Sequence, residues 1–236
     1  MSKLFDLMVL SLIWSACLVP VLVIIYFTES IIGLGAIGYA LFLVLMVVGA
    51  AFVGPASTAL YYTVVKVIRR DRGYVTKEFI KSFKLNFRQA LIVGVIITVF
   101  SSLLYLNLGY SKALESEFGN MLWYVYIAMI IFLSMISMYV FPVLSRYSVT
   151  IANLFKMSFF FSIRHFLTTV VSLICFLGAA FGCFITGGVA LIILPSASCL
   201  LSSLLMEKVL KRYLPEEEVE VNEDGEQIKK DEWFRE

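Results

Sequence analysis

Eight basic side chains fall within one stretch of the chain: Lys66, Arg69, Arg70, Arg72, Lys77, Lys81, Lys84 and Arg88, set against only Asp71 and Glu78. Such a cluster can hold anions, whether lipid headgroups or the acidic face of a protein partner, but it does not break bonds. Catalysis needs a nucleophile, an acid/base pair or a metal in mutual reach, and the chain offers none of these in a recognisable pattern. The single histidine, His165, stands beside Arg164 and away from any group of acids or cysteines. No Ser/His/Asp set, HExxH or phosphate-cradling glycine loop is present. Cys17, Cys175, Cys183 and Cys199 lie in apolar stretches without CxxC spacing and read as small buried hydrophobes. Coupled ion transport usually leaves a carboxylate or histidine at membrane depth, whereas Asp6, Glu29 and Glu207 all read as lying at span ends. We therefore expect a non-enzymatic protein with no catalytic, cofactor-binding or metal-ligating residues and no nucleic-acid partner.

The elements that position the basic cluster are apolar. The 236 residues are 61% hydrophobic with 15% charged, against about 25% charged in an ordinary soluble domain, and the mean hydropathy is +0.93. No Asp, Glu, Lys or Arg occurs from Gln89 to Ser111, from Phe118 to Ser145, or from His165 to Met206. Runs of that length match the ~20 residues needed to cross a bilayer. The fold class expected is all-α: a polytopic transmembrane bundle of about six spans with basic amphipathic helices at the cytosolic surface. The spans are placed at about 4–27, 38–66, 90–108, 121–141, 167–186 and 188–206. The start, MSKLFDLMVLSLIWSAC, reads as an uncleaved first helix, because the apolar chain continues to Phe27, too far for a signal core. An alternative fuses 167–194 into one long span, giving five.

Prolines and glycines mark the expected bends and crossings. Gly54 and Pro55 fall inside span two and Pro195 inside span six, so both spans are expected to be continuous but kinked. Pro142 is expected to end span four. Gly178-x-x-x-Gly182 and Ala50-x-x-x-Gly54 permit close helix approach, and Ser101, Ser102, Asn107, Ser134, Ser137, Ser198, Ser202 and Ser203 are expected to bond between helices. Gly109 to Asn120 is expected to be an outer loop.

Charge placement orients the bundle. Lys3, the eight bases after span two, Arg146, Lys156 and Arg164 after span four, and Lys208, Lys211 and Arg212 after span six fall on one side; Lys112 alone falls on the other. Basic loops stay cytoplasmic, so both termini are expected in the cytoplasm. Within the basic segment Phe79, Phe83 and Phe87 recur every four residues with Ile80 and Leu91 beside them, opposite Lys77, Lys81, Lys84 and Arg88. This spacing predicts a separate amphipathic helix over 77–91, resting on anionic headgroups or docking a cytosolic partner. Residues 214–236 form a separate acidic tail with ten acids and three bases, too polar to bury a core. It is either disordered or a marginal hairpin around Asp224-Gly225. A weak repeat relates Phe79–Leu91 to Phe155–Leu167, which permits either convergent interfacial helices or pseudosymmetric halves.

GPASTALYYTVVKVIRRDRGYVTKEFIKSFKLNFRQA, together with FPVLSRYSVTIANLFKMSFFFSIRHFLTT and an apolar start ending in LIWS, resembles the YesL family of bacterial membrane proteins, formerly a domain of unknown function. The resemblance supplies no catalytic residues. It implies a bacterial plasma-membrane protein associated with carbohydrate uptake of the ABC type. The expected function is thus an accessory or regulatory component, with anionic lipids and ABC transporter subunits as candidate partners. The alternative is a small-solute permease or channel with a weakly polar intramembrane pocket.

Overall fold

The computed structural model describes residues 3–70, 73–114, 116–147, 149–213, 220–221 and 227–228. Its helices are α1 (Lys3–Tyr26), α2 (Thr28–Ile32), α3 (Ala36–Ala50), α4 (Val53–Thr63), α5 (Val75–Ala113), α6 (Glu117–Leu144), α7 (Ile151–Arg164), α8 (Phe166–Ile185) and α9 (Leu194–Arg212). A π-helical turn, Val64–Arg69, extends α4, and a 3₁₀ turn, Val189–Ile192, precedes α9. Among the described residues five stretches are long and apolar enough to cross a membrane: α1, the run Ala36–Arg69, α5, α6 and α8. The segment expected as a sixth span falls outside that set, because the second half of α9 carries Glu207, Lys208, Lys211 and Arg212. Gly187 and Gly188, at φ +59° and +90°, end α8 in a tight turn, a backbone that favours glycine. The single long span over 167–194 is therefore not formed.

Helix α4 is the centre of the molecule. From Gly54 to Ile68 only Ser57 and Lys66 escape full burial, and α1, α5, α6 and α9 surround it. It forms an antiparallel pair with α5, closest where Gly54 meets Gly94. A Cβ on Gly54 would lie 2.5 Å from the Ala90 carbonyl oxygen, and one on Gly94 would lie 3.2 Å from the Gly54 Cα. Gly73, at φ +87°, turns the chain between the two arms. The aromatic row of α5 faces this pair: Phe79 is buried, and Phe83 stacks between Phe79 and Phe87 at 6.2 and 5.5 Å.

Several expectations change. The amphipathic helix is not a separate element, because α5 runs unbroken for 39 residues, about 58 Å at 1.5 Å per residue. Nothing between Lys77 and Leu91 breaks a helix, and Ile80, placed with the aromatic row, is 47% exposed. Most of the segment expected as an outer loop is helical, since α5 reaches Ala113 and Ser116 caps α6 by accepting from the Gly119 N–H at 3.0 Å. Around Pro55 the run Ala36–Arg69 is one long stretch with a local break in it, Ala51 and Phe52 keeping right-handed helical backbone. The regular hydrogen bonding lapses over Ala51–Phe52, because a proline cannot donate to the carbonyl of Ala51, four residues earlier, as expected of a kinked span. Pro195 occupies the first turn of α9, where its missing N–H costs nothing. Pro142 lies inside α6, which continues to Leu144.

The hydroxyls also bond differently. Ser134, Ser137 and Asn107 donate to carbonyls four residues back on their own helices, and Ser198, Ser202 and Ser203 to carbonyls three back. Bonds between helices come from other residues. Ser11 Oγ donates to Ser196 Oγ at 2.7 Å, and the Trp14 indole donates to Ser57 Oγ at 3.1 Å. In the tail, β1 (Glu220–Val221) pairs antiparallel with β2 (Gln227–Ile228), Glu220 opposite Ile228. The rest of 214–236, Asp224-Gly225 included, lies outside the described residues. The two repeat units share a buried serine, Ser82 and Ser158. They differ in continuity: α5 runs straight through Arg88, while the second unit breaks at His165.

Candidate functional site

The basic cluster divides into two populations. Lys66 and Arg69 come from the π turn, and Arg70 is the residue that follows it. A π turn inserts an extra residue per turn and often marks functional positions. Here it aims these side chains inward. Lys66 Nζ pairs with Glu78 of α5 at 2.9 Å and approaches the Tyr62 hydroxyl at 3.4 Å. Arg69 pairs with Glu207 of α9 and donates to the Ser203 carbonyl at 3.0 Å. Arg70 reaches the same carboxylate at 3.6 Å, and Arg146, just beyond α6, at 2.9 Å.

Glu207 therefore collects three guanidinium groups from two places in the chain while only 4% exposed. Its position on α9 follows from four-residue spacing, which stacks Cys199, Ser203 and Glu207 on the face buried against the π turn. The Arg146 side chain is 3% exposed. Burial pulls its guanidinium below the ordinary arginine range, and Tyr61 and then Glu207 oppose that shift. The Arg146 guanidinium carbon stands 5.7 Å from the centre of the Tyr61 ring. Next to this layer Tyr147 donates to the Leu210 carbonyl at 3.2 Å, and His165 lies 3.2 Å from the Tyr213 hydroxyl.

The second population points outward. Lys77, Lys81, Lys84 and Arg88 are all exposed on α5, and among the described residues none makes an ion pair. Arg72 lies outside the described residues. Of the residues singled out for packing, Gly54 sits at the α4–α5 crossing, and Gly182 faces the Leu194 side chain, whose Cδ1 would lie 2.8 Å from an added Cβ. Gly178 faces open space, with nothing within 4 Å of such a Cβ, because α8 lies at the rim of the bundle. Sequence reasoning did not find the roles of Glu207, Glu78, Arg146 and Tyr61. Glu207 read as a span-end acid and Arg146 as an orientation marker; the available signal was the helical spacing of Glu207 with Cys199 and Ser203.

Two larger hollows lie elsewhere. One of about 520 Å³ opens between α1, α3, α5 and α6, and another of about 600 Å³ lies near α2 and the ends of α5 and α6. Tyr105 borders both. Among the described residues no three His, Cys, Asp or Glu side chains gather as a metal site.

Residues 7–108 match the family described as a protein of unknown function, DUF624. The matched stretch contains LIWS and the block from Gly54 to Ala90, and it stops short of 141–169. No curated protein and no solved structure matches the chain. This chain is thus a helical protein with, among the described residues, five helices apolar and long enough to span a membrane, similar over residues 7–108 to an uncharacterised family.

Proposed function

We propose that this protein is a YesL-type, non-enzymatic accessory or regulatory component of the bacterial plasma membrane. On this reading it serves an ABC-type carbohydrate uptake system, and a ridge of exposed bases is its docking surface. One observation carries the reading: Lys77, Lys81, Lys84 and Arg88 stand exposed on a helix that is continuous with a membrane-crossing stretch. A rigid basic ridge of this kind suits an acidic protein surface or anionic headgroups, each base near such a surface contributing about 1 kcal/mol. Six crossings with both termini cytoplasmic fit the one-sided distribution of bases. The last crossing would be α9, which packs along α8 and would carry Lys208, Lys211 and Arg212 to the basic side.

The test is affinity purification of the full chain in mild detergent, with identification of what co-purifies. Transporter subunits retained by the wild type and lost when all four ridge bases are reversed to Glu support docking. Equal recovery from both proteins overturns it. The hollow of about 520 Å³ favours a second reading, a permease for a small neutral solute. In its wall Ser134 and Ser137 already donate to their own helix, so a solute would rely on the hydroxyls of Thr98, Ser101, Ser102 and Tyr105.

A further inference from the structure

The two larger hollows meet at Tyr105 and differ in polarity. The first, of about 520 Å³, lies between stretches apolar enough to cross a membrane, and among the described residues no charged side chain borders it. Apart from Ser134 and Ser137, its hydroxyls come from Thr98, Ser101, Ser102 and Tyr105, which share one face of α5 at helical spacing. The second, of about 600 Å³, is bordered by Glu29 and Lys112 together with Tyr39, Tyr110 and Trp123. Tyr and Trp collect where hydrocarbon meets headgroups, so this hollow stands at headgroup level. Both volumes fall in the range of small-molecule sites, about 300–1,000 Å³.

Length selects the class of ligand. Along α5 the lining of the joined hollows runs from Ile97 to Lys112, about 22 Å at 1.5 Å per residue. One leaflet with its headgroups is half of a bilayer roughly 40–45 Å thick, which is the same distance. An apolar inner end and a charged outer end repeat the division of a lipid into chain and headgroup. Charge then narrows the class. One carboxylate and one ammonium border the outer hollow, and among the described residues neither Glu29 nor Lys112 makes an ion pair. A headgroup with both phosphate and ammonium complements the two together, whereas a purely anionic one would meet Glu29 as a like charge.

We propose that the joined hollows hold one zwitterionic phospholipid of the phosphatidylethanolamine class. An acyl chain lies between α1, α3, α5 and α6, and the ester groups sit near Ser101, Ser102 and Tyr105. The phosphate faces Lys112 and the ammonium faces Glu29. Lys112 is about 36 Å along α5 from Arg88, so this site is separate from the basic ridge and stands whether or not the ridge docks a partner.

The test incubates the purified full chain in mild detergent with phosphatidylethanolamine or phosphatidylglycerol of equal chain length. Native mass spectrometry counts the lipid retained. Wild type should retain a single phosphatidylethanolamine, with half-saturation about two- to five-fold below that for phosphatidylglycerol, the range of an exposed ion pair. Ser101→Trp fills the inner hollow from an exposed position and should raise half-saturation for phosphatidylethanolamine by roughly ten-fold or more through overpacking. Glu29→Lys places two ammonium groups at the outer hollow and should reverse the preference toward phosphatidylglycerol. Equal retention of the two lipids by wild type, a wild-type preference for phosphatidylglycerol, indifference to Ser101→Trp, or an unreversed preference in Glu29→Lys each overturns the proposal. Should Ser101→Trp fail to fold, Glu29→Lys, at an exposed residue, decides it.

Discussion

Glu207 and His165 show how burial changes what a charge does. A carboxylate taken out of water loses several kcal/mol of hydration, which only close partners offset; Arg69, Arg70 and Arg146 are those partners. Glu207→Gln keeps the shape and removes the charge, leaving three guanidiniums facing one another. We expect a loss of about 3–5 kcal/mol, read as a lower thermal unfolding midpoint in detergent, while Glu117→Gln on the exposed start of α6 should leave the midpoint nearly unchanged. His165 behaves oppositely. Burial, then Arg212 and Arg164, holds its imidazole below the usual 6.5, beside the Tyr213 hydroxyl. The folded protein thus resists a proton that the unfolded chain accepts. The contribution of His165 is intact above pH 6.5 and is lost as the pH falls from there through its folded value. Comparing midpoints at pH 7.5 and 5.5, wild type should lose more stability than His165→Asn.

At the scale of elements, the α4–α5 pair depends on backbone contact at Gly54 and Gly94. A methyl group on Gly54 would meet a carbonyl oxygen on a rigid helix, which cannot yield as a side chain would. Gly54→Ala should therefore cost about 1–3 kcal/mol through overpacking. Gly178→Ala meets nothing within 4 Å and should gain up to about 1 kcal/mol from helix propensity. Opposite signs in the two unfolding midpoints are the expected result. The pair also makes the basic ridge rigid: the aromatic row Phe79, Phe83 and Phe87 lies along one side of α5 while the lysines project from another. Four-residue spacing made that amphipathicity readable. The join to the apolar helix was not, because a change from polar to apolar surface looks the same whether the helix stops or continues.

For the whole molecule, the proposed six-crossing reading would place Ser116 and the ridge on opposite sides of the membrane. In a variant freed of native cysteines, Ser116→Cys should react with an impermeant thiol reagent applied outside intact cells, and Lys84→Cys only after permeabilisation. External labelling of Lys84→Cys would reverse the orientation. Both positions are exposed in the structure, so silence at either reports location rather than burial.

What the sequence determined by itself was the all-helical class and the presence of several helices long and apolar enough to cross a membrane. A segment in lipid must be apolar and helical over its full length, so composition within a window of about twenty residues is enough to reveal it. The turn at Gly187-Gly188 is legible for a similar reason, since positive φ favours one residue type. Tertiary structure alone decided which charges face inward. Arg146 and Glu207 are 61 residues apart, and Arg69 bonds a carbonyl 134 residues away. No local pattern encodes such pairing. Whether a base in a run of eight is a buried partner or a free docking group depends on which helix lies against it, and that follows from packing around α4.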